Sequence, residues 1–206
     1  MACGIFKTAR KRIEMSIQDS KAGLRAKIRA ALEKISPAVR AVESMDLCAR
    51  LKAQMQSART ILFFAPLPDE PDVWPLLAKS LAGGKTIALP FFAAEKRTYG
   101  ARQVKNAATE IIAGKFGLRE PAPSCAEIPL EHFDLVLVPG LAFDLSGSRL
   151  GRGKGFYDHL LEETGGVKCG VGYDFQLWET IPTEPHDVKV DFILTPTRCL
   201  KAGEKI

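Results

Sequence analysis

Short apolar runs alternate with helix-like segments over the last two-thirds of this 206-residue chain, and this alternation constrains its fold most strongly. The clearest run, at residues 133–138, ends at Pro139-Gly140, and a glycine-rich segment and a helix-like segment follow it. Other strands are predicted at residues 60–65, 85–89, 97–104, 168–173 and 190–194. Strands that alternate with helices predict an α/β fold, namely a three-layer α/β/α architecture with a largely parallel central sheet.

Proline and glycine set further boundaries in this region. Pro90 should end the strand at residues 85–89, and the strand at 190–194 should be the last. Short helices are predicted at residues 73–81 and 107–113, and residues 114–126 are predicted to be a loop.

The first third of the chain is predicted to be an N-terminal helical arm. Asp19 or Ser20 can cap a helix that runs to about Ile35. Its predicted apolar stripe consists of Leu24, Ile28, Leu32 and Ile35. A second helix should start at Ser36-Pro37, because serine is a favoured cap and proline a favoured first residue. Its candidates for burial are Val39, Val42, Met45, Leu47 and Leu51. We predict a disordered extension at residues 1–18 and a single domain at 19–206.

The composition argues against several classes of protein. No apolar stretch approaches the roughly 20 residues of a membrane-spanning helix, so no membrane partner is expected. The five cysteines include no Cys-x-x-Cys pair, which is typical of reduced thiols in the cytoplasm. The net charge of +5 is uneven, since residues 1–60 carry 13 Lys and Arg against 5 Asp and Glu. This basic arm could contact an anionic ligand or nucleic acid, or it could be a solvated helical face.

The most informative segment is the glycine-rich loop, residues 146–158, which reads Ser146-Gly-Ser-Arg-Leu-Gly-Arg-Gly-Lys-Gly-Phe-Tyr-Asp158. Three alternating glycines let the backbone approach a ligand closely, and three cations lie among them. These residues are Gly151, Gly153, Gly155, Arg149, Arg152 and Lys154. Arginines and helix N-termini bind phosphate, and Asp158 can hold a magnesium ion. The loop therefore predicts a site for a polyphosphate and its metal.

Two common nucleotide-binding motifs do not describe this loop. A P-loop would need glycine where Ser148 stands and a hydroxyl residue where Gly155 stands. The third glycine comes one residue too early for the dinucleotide-binding fingerprint. A flexible turn whose charges only contact water remains an alternative at this point.

Further charged residues could face the same cleft, because ligands bind beyond the carboxyl ends of parallel strands. Glu70 follows the first strand, and Asp187 precedes the last predicted strand, where it could be a second metal ligand. Lys21, Arg25 and Arg29 lie four residues apart on one helix face and could contact phosphate. The simpler alternatives are an exposed loop acid, a turn residue and a solvated helix face.

The segment Pro139-Gly-Leu-Ala-Phe-Asp-Leu-Ser-Gly-Ser-Arg-Leu-Gly-Arg-Gly-Lys-Gly-Phe-Tyr-Asp158 resembles the signature of the 5-formyltetrahydrofolate cyclo-ligase (5,10-methenyltetrahydrofolate synthetase) family. The likeness extends to Lys21-x-x-x-Arg25, Gly117-Leu-Arg-Glu-Pro121 and Pro185-His-Asp187. The resemblance implies a single α/β/α domain and a reaction driven by ATP. In that reaction the formyl oxygen takes the γ-phosphoryl group, N10 attacks the activated carbon, and ADP and phosphate are released.

The resemblance also implies a role for each matching residue. Lys21 and Arg25 would contact the phosphates of ATP, and Arg152 and Lys154 would be catalytic. The loop residues that would bind ATP are Arg149, Leu150, Gly151, Arg152, Gly153, Lys154, Gly155, Phe156 and Tyr157. The residues that would bind the folate are Glu70, Phe116, Arg152, Gly153, Lys154, Gly155, Phe156 and Tyr157. The ligands of Mg²⁺ would be Asp158 and Asp187.

The chain departs from the family's pattern at three places. Phe156 stands where many members have tyrosine, and Ala65 stands where some have a larger apolar residue. Residues 91–106 match the pattern poorly.

We therefore expect a cytoplasmic, monomeric enzyme that uses ATP, Mg²⁺ and 5-formyltetrahydrofolate. One alternative is a non-catalytic folate or nucleotide binding protein of the same fold, but the glycine-rich loop keeps all its cations and Asp158. Another is a basic nucleic-acid-binding module. Residues 7–59 contain no Phe, Tyr or Trp for base stacking, so we expect no nucleic-acid partner.

Overall fold

A computed structural model describes residues 2–93, 98–114 and 119–204, with side chains of the first helix described at residue 17 and from residue 19 onward. The helices are α1 (Ala2–Glu33), α2 (Pro37–Gln54), α3 (Trp74–Ala82), α4 (Ala107–Glu110) and α5 (Phe156–Glu163). The strands are β1 (Thr60–Leu62), β2 (Thr86–Ala93), β3 (Thr98–Val104), β4 (Ile111–Ala113), β5 (Arg119–Pro121), β6 (Glu127–Ile128), β7 (Leu135–Pro139), β8 (Ala142–Asp144), β9 (Arg149–Leu150), β10 (Val167–Val171), β11 (Leu177–Trp178), β12 (Phe192–Leu194) and β13 (Cys199–Lys201). Among these described helices, none is both long enough and apolar enough to cross a membrane.

Eight strands form the central sheet, in the order β13-β12-β10-β7-β1-β2-β3-β6. The strands from β12 to β2 run parallel, whereas β13, β3 and β6 pair antiparallel towards the edges. In chain order, the parallel part starts at β1, adds β2 on one side, and then adds β7, β10 and β12 on the other. This reversal leaves a crevice beyond the carboxyl ends of β1 and β7, where open α/β sheets bind their ligands.

Helices cover both faces of this sheet. Leu137 of β7 belongs to a buried cluster with Leu51 of α2. The next residue of the strand, Val138, belongs to a second cluster with Leu161 of α5. Because successive side chains of a strand point to opposite faces, β7 is covered on both sides. The predicted three-layer α/β/α fold with a largely parallel sheet is confirmed.

The junction between α1 and α2 is held by a cap on each helix. The hydroxyl of Ser36 accepts a hydrogen bond from the backbone N–H of Val39 at 3.3 Å, which confirms the predicted start of α2. The guanidinium of Arg40 donates to the carbonyl oxygens of Leu32 and Ile35, at 3.2 and 2.9 Å. These bonds supply donors to carbonyls at the end of α1, where the regular pattern of helical hydrogen bonds ends.

Helix α1 packs through Leu24, Ile28 and Leu32 of the predicted apolar stripe, which are all buried, whereas Ile35, the last member, is half-buried. The three buried side chains share a cluster with Leu150, from the glycine-rich loop, and with Tyr173, which follows β10. The arm therefore packs directly against the segment that carries the predicted site.

The start of α1 differs from the prediction. The helix begins at Ala2 and not at Asp19 or Ser20, so residues 2–18 are helical where a disordered extension was expected. A cap residue permits a helix to begin but does not prevent a preceding turn from continuing into it. The division of the chain after residue 18 stays a prediction.

Helix α2 buries only part of its predicted apolar set. Leu47 and Leu51 are fully buried. The prediction is wrong for Val39, Val42 and Met45, whose exposed fractions are 48%, 60% and 72%. Val42 and Met45 lie on the opposite side of the helix from the buried leucines, so they cannot contact the sheet.

Strand β2 continues through Pro90, which the sequence predicted to end it. The carbonyl oxygen of Ala88 accepts a hydrogen bond from the backbone N–H of Phe63 beyond β1, so residue 88 faces that neighbour. Pro90, two residues further on, faces the same side, where β1 has already ended. Its missing N–H therefore costs the sheet no hydrogen bond.

Three other predictions of local structure are wrong. Residues 107–113 do not form one helix, because α4 ends at Glu110 and β4 follows at once. Strand β4 pairs with β5, which lies within the predicted loop at residues 114–126. The strand at β12 is not the last, because β13 pairs with it. Each difference depends on a partner strand that the local sequence does not specify.

We expect the packing of α1 to respond to a cavity in its buried stripe. Ile28 is 1% exposed, so Ile28→Ala should lower the free energy of unfolding by about 2–5 kcal/mol. Val42→Ala, at a position that is 60% exposed, should change it by less than about 0.5 kcal/mol. Urea denaturation measures both values. Equal small losses in the two variants would show that α1 does not pack through Ile28.

Candidate active site

A cleft of about 440 Å³ lies beyond the carboxyl ends of β1 and β7, at the reversal of strand order. The predicted site residues that line it are Lys21, Arg25, Glu70, Arg149, Leu150, Gly151, Arg152, Gly153, Lys154, Gly155, Phe156, Tyr157, Asp158 and Asp187. Phe116 lies outside the described residues. The structure thus brings the described members of the set together, while their individual roles stay predictions.

A buried acid that the sequence analysis missed shapes the start of the glycine-rich loop. Oδ1 of Asp144 accepts hydrogen bonds from the backbone N–H groups of Ser146 and Ser148, at 2.9 and 3.0 Å. Its Oδ2 accepts from the backbone N–H of Ile181 at 2.9 Å. The tight turn joins β8 to β9 and so places Arg149 at the cleft. An aspartate two residues before a Ser-Gly-Ser turn is a signal that could have revealed this role.

The backbone of the loop takes conformations that favour glycine at Gly147 and Gly155, as well as at Gly153. Gly147 has a φ of +82°, and a side chain there would collide with the carbonyl oxygen of Val190. Gly155, with a φ of +67°, stands directly before α5. Left-handed backbone at these points costs glycine little and other residues more. The backbone N–H groups at the start of α5 directly follow Gly155, and helix N-termini of this kind bind anions.

The arm contacts the glycine-rich loop through Arg25. Its Nε donates a hydrogen bond to the carbonyl oxygen of Gly151 at 2.9 Å. A Cβ at Gly153 would lie 3.3 Å from the Arg25 guanidinium carbon, so the glycine also permits this approach. Arg29, the third member of the predicted triplet, is exposed. Of these three residues, only Arg29 lies on a solvent-exposed face of the helix.

Lys21 is buried in the wall of the cleft, between two acids. Its Nζ lies 2.9 Å from Glu184 Oε2 and 2.6 Å from Asp187 Oδ2. Possible metal-ligand atoms of Glu184, His186 and Asp187 lie within 4.8 Å of one another. Carboxylate oxygens suit Mg²⁺, so the donor set partly fits the predicted ion. Glu184 and His186 were missed because nothing local marks them as neighbours of Lys21.

Asp158, the other predicted metal ligand, is paired with Arg149. The guanidinium Nη2 lies 2.7 Å from Asp158 Oδ1, and the arginine side chain is only 3% exposed. Arg149 Nε has no hydrogen-bond partner among the described residues. Burial raises the pKa of the nearby Tyr157 hydroxyl, so this side chain stays a neutral phenol. Arg149 thus carries one buried N–H donor, at Nε, that no described residue accepts.

Arg152 reaches across the cleft to the β1 loop, residues 66–71. Its Nη2 lies 2.5 Å from Asp69 Oδ1, and its Nε donates to Glu70 Oε1 at 3.1 Å. The backbone N–H of Leu67 donates to Glu70 Oε2 at 3.0 Å. Burial raises the pKa of Glu70, and the Leu67 N–H and Arg152 offset part of that rise. Lys154 is exposed at the rim of the same cleft.

Aromatic side chains form a wall that the sequence analysis did not identify. The rings of Tyr99 and Phe156 lie 4.1 Å apart, and those of Phe92 and Tyr99 lie 4.9 Å apart. Phe91 also lines the cleft, and the guanidinium of Arg102 lies 3.7 Å from the centre of its ring. The paired strands β2 and β3 supply most of this wall. This is the region that matched the family's pattern poorly.

The comparison with known proteins agrees with this geometry. A sequence model of the 5-formyltetrahydrofolate cyclo-ligase family matches residues 17–196. The chain belongs to this family. The match includes the arm residues Lys21 and Arg25 and extends past Asp187. The family implied by the sequence motifs is therefore confirmed.

Individual relatives match over most of their length. The 5-formyltetrahydrofolate cyclo-ligase of Mycolicibacterium smegmatis is 36% identical over 192 residues, which cover 89% of this chain and 97% of the relative. That of Mus musculus is 28% identical, with coverages of 87% and 95%. The solved structure of Aquifex aeolicus 5,10-methenyltetrahydrofolate synthetase is similar with a TM-score of 0.81, at 30% identity, with coverages of 90% and 94%. The architecture described above is thus shared with that synthetase.

We expect Asp144 to be needed for the turn that presents the glycine-rich loop. Asp144→Asn would direct an amide NH₂ at one of its N–H partners and should lower the free energy of unfolding by about 1–3 kcal/mol. Asp46→Asn, at an exposed acid of α2, should change it by less than about 0.5 kcal/mol. Chemical denaturation of both variants checks this. An Asp144→Asn protein as stable as the control would contradict the role.

Proposed function

We propose that this chain is a 5-formyltetrahydrofolate cyclo-ligase that consumes ATP and releases 5,10-methenyltetrahydrofolate, ADP and phosphate. The observation that carries the proposal is the composition of one cleft in a member of this family. Arg25, Arg149 and Lys154 lie there with a glycine-rich backbone, opposite Glu70, whose side chain is largely buried, and beside an aromatic wall. Such a cleft has chemistry for a polyphosphate at one side and for a flat, N–H-rich ring at the other.

The reaction needs two substrates held in line. The formyl oxygen attacks the γ-phosphorus of ATP, a new O–P bond forms, and the bond to the bridging oxygen of ADP breaks. N10 then attacks the activated carbon and loses its proton, and phosphate leaves with the former formyl oxygen. Proximity and the neutralisation of charge on the phosphoryl group are the main contributions that a protein can make to such a transfer.

The proposed roles follow from the positions of the side chains. Arg152 and Lys154 would neutralise charge on the transferring group, and Arg149, Lys21 and Arg25 would bind the other phosphates. The loop from Gly151 to Tyr157 would lie between the two substrates.

On the folate side, the carboxylate of Glu70 would accept paired N–H bonds from the pterin ring, and the aromatic wall would pack against the remainder. Asp158 and Asp187 would hold Mg²⁺, with Glu184 beside the second. When bound, this ion supplies charge that screens the phosphate oxygens.

Two further parts of the proposal concern the state of the protein. We propose a cytoplasmic, monomeric enzyme, as the sequence predicts. Among described side chains, Cys48, Cys125, Cys169 and Cys199 are free thiols, which a reducing compartment favours. The arm also turns Lys21 and Arg25 into the cleft, where a small anion and not a nucleic-acid backbone would meet them.

One assay tests the function. Purified protein with 5-formyltetrahydrofolate and Mg-ATP should give the near-ultraviolet absorbance of the methenyl product and an equal amount of ADP. Arg152→Ala should lower the rate about 10²-fold or more, since a donor to developing charge is lost. Arg29→Ala, at an exposed arginine of the arm, is the matched control and should stay close to wild type.

Folate binding without product would favour a carrier protein. RNA binding with a steep salt dependence, unaffected by folate, would favour a nucleic-acid-binding module. Normal turnover by Arg152→Ala would contradict the role proposed for that residue.

The raised pKa of Glu70 gives the folate site a characteristic pH dependence. Only the carboxylate accepts two N–H bonds, and burial raises its pKa above the ordinary value of 4.5. The KM for folate should therefore increase as the pH falls, and the increase should begin at a higher pH than an exposed glutamate would give. Glu70→Gln should raise KM and remove this pH dependence. A wild-type KM that is constant down to pH 5 would contradict the assignment.

A further inference from the structure

We propose that Asp69 is a positioning residue that holds Arg152 on the β1 side of the cleft and so couples nucleotide binding to folate binding. The inference rests on the proposed function, because it assigns the two sides of the cleft to these substrates. Asp69 carries no role in the sequence signature. It contacts Arg152 directly.

The guanidinium of Arg152 contacts two acids, Asp69 and Glu70. Nη2 of Arg152 lies 2.5 Å from Asp69 Oδ1, and Nε lies 3.1 Å from Glu70 Oε1. Arg152 and Asp69 are each about one-third exposed, at 31% and 33%, whereas Glu70 is 9% exposed. The planar guanidinium donates along more than one edge, so the two acids together fix its orientation. Asp69 is thus the outer, more accessible support of the arginine.

Both oxygens of Glu70 have donors in this arrangement. Oε2 accepts from the Leu67 backbone N–H at 3.0 Å, and Oε1 accepts from Arg152. A ring that presents paired N–H groups to Glu70 must therefore compete with Arg152 for Oε1. Any interaction that moves Arg152 away from the β1 loop frees Oε1 of Glu70 to accept a hydrogen bond from the folate.

A bound nucleotide would provide such an interaction. The phosphates of ATP compete with Asp69 and Glu70 for the guanidinium, because arginine binds phosphate and carboxylate oxygens alike. Moving Arg152 towards phosphate frees Glu70, so each substrate lowers the cost of binding the other. By linkage, the factor by which nucleotide strengthens folate binding equals the factor by which folate strengthens nucleotide binding. Asp69 increases this factor, because it favours the position in which Arg152 contacts the β1 loop.

Asp69→Asn tests the coupling, since it keeps the size of the side chain but removes the charge. Calorimetry would give dissociation constants for 5-formyltetrahydrofolate and for Mg²⁺ with a non-hydrolysable ATP analogue, each alone and with the other ligand saturating. In the wild type, each ligand should strengthen the other about fivefold or more. In the variant, each ligand alone should bind about 2- to 5-fold more tightly, as expected for the loss of one partly exposed ion pair.

In the variant, the dissociation constant of each ligand should stay unchanged when the other ligand is saturating. The coupling factor, which is the ratio of the constants without and with the other ligand, should therefore fall by the same roughly 2- to 5-fold. A residue that served only the fold would weaken all four constants together. Glu204→Gln, which removes a carboxylate from the exposed ion pair with Lys201, is the matched control and should alter none of them.

The possible failures are distinguishable. A wild-type protein that binds neither ligand would overturn the proposed function itself. A wild type that binds both, with Asp69→Asn constants that are equal to or weaker than its own, would overturn only the role of Asp69. Thermal denaturation of the variant confirms that the protein measured is folded.

Discussion

Ion pairs between cations and acids of the cleft hold this site together. Lys21 is paired with Asp187, Arg149 with Asp158, and Arg152 with Asp69. A charge that is removed from water is costly unless a partner compensates it, so the buried cations Lys21 and Arg149 require their acids in order to lie where they do. The first and third pairs join segments that are 166 and 83 residues apart in sequence. The cleft is thus closed by electrostatic contacts on a scaffold that apolar packing has already formed.

The scaffold places these partners within reach. At the reversal of strand order, β1 and β7 lie side by side, but the chain leaves their carboxyl ends towards opposite edges of the sheet. Each of these strands is followed by a loop that carries charge. The β1 loop provides acids, while the chain beyond β7 provides most of the cations. Parallel strands deliver both loops to the same edge of the sheet, which is why a chain of this topology can build a site with two unlike sides.

The sequence was sufficient for the features that depend on local chemistry. Alternating apolar runs predicted the sheet, Ser36 predicted the start of α2, and the glycine-rich loop predicted residues that line one cleft. Features that depend on distant partners could not be obtained in this way. Nothing near Glu184 indicates that Lys21 contacts it, and the exposure of Met45 depends on which face of α2 meets the sheet. Pro90 is tolerated in β2 only because the neighbouring strand ends early.

The way in which α1 is attached makes the cleft less resistant to unfolding than the central sheet. This helix contributes Lys21 and Arg25 to the cleft, but it is attached through one apolar stripe and a few polar contacts. The central sheet buries its own clusters independently of that stripe. Protein segments with few buried contacts open at a lower free energy than the core does. We therefore expect heating to detach this helix, and with it two cations of the cleft, while the sheet behind it is still folded.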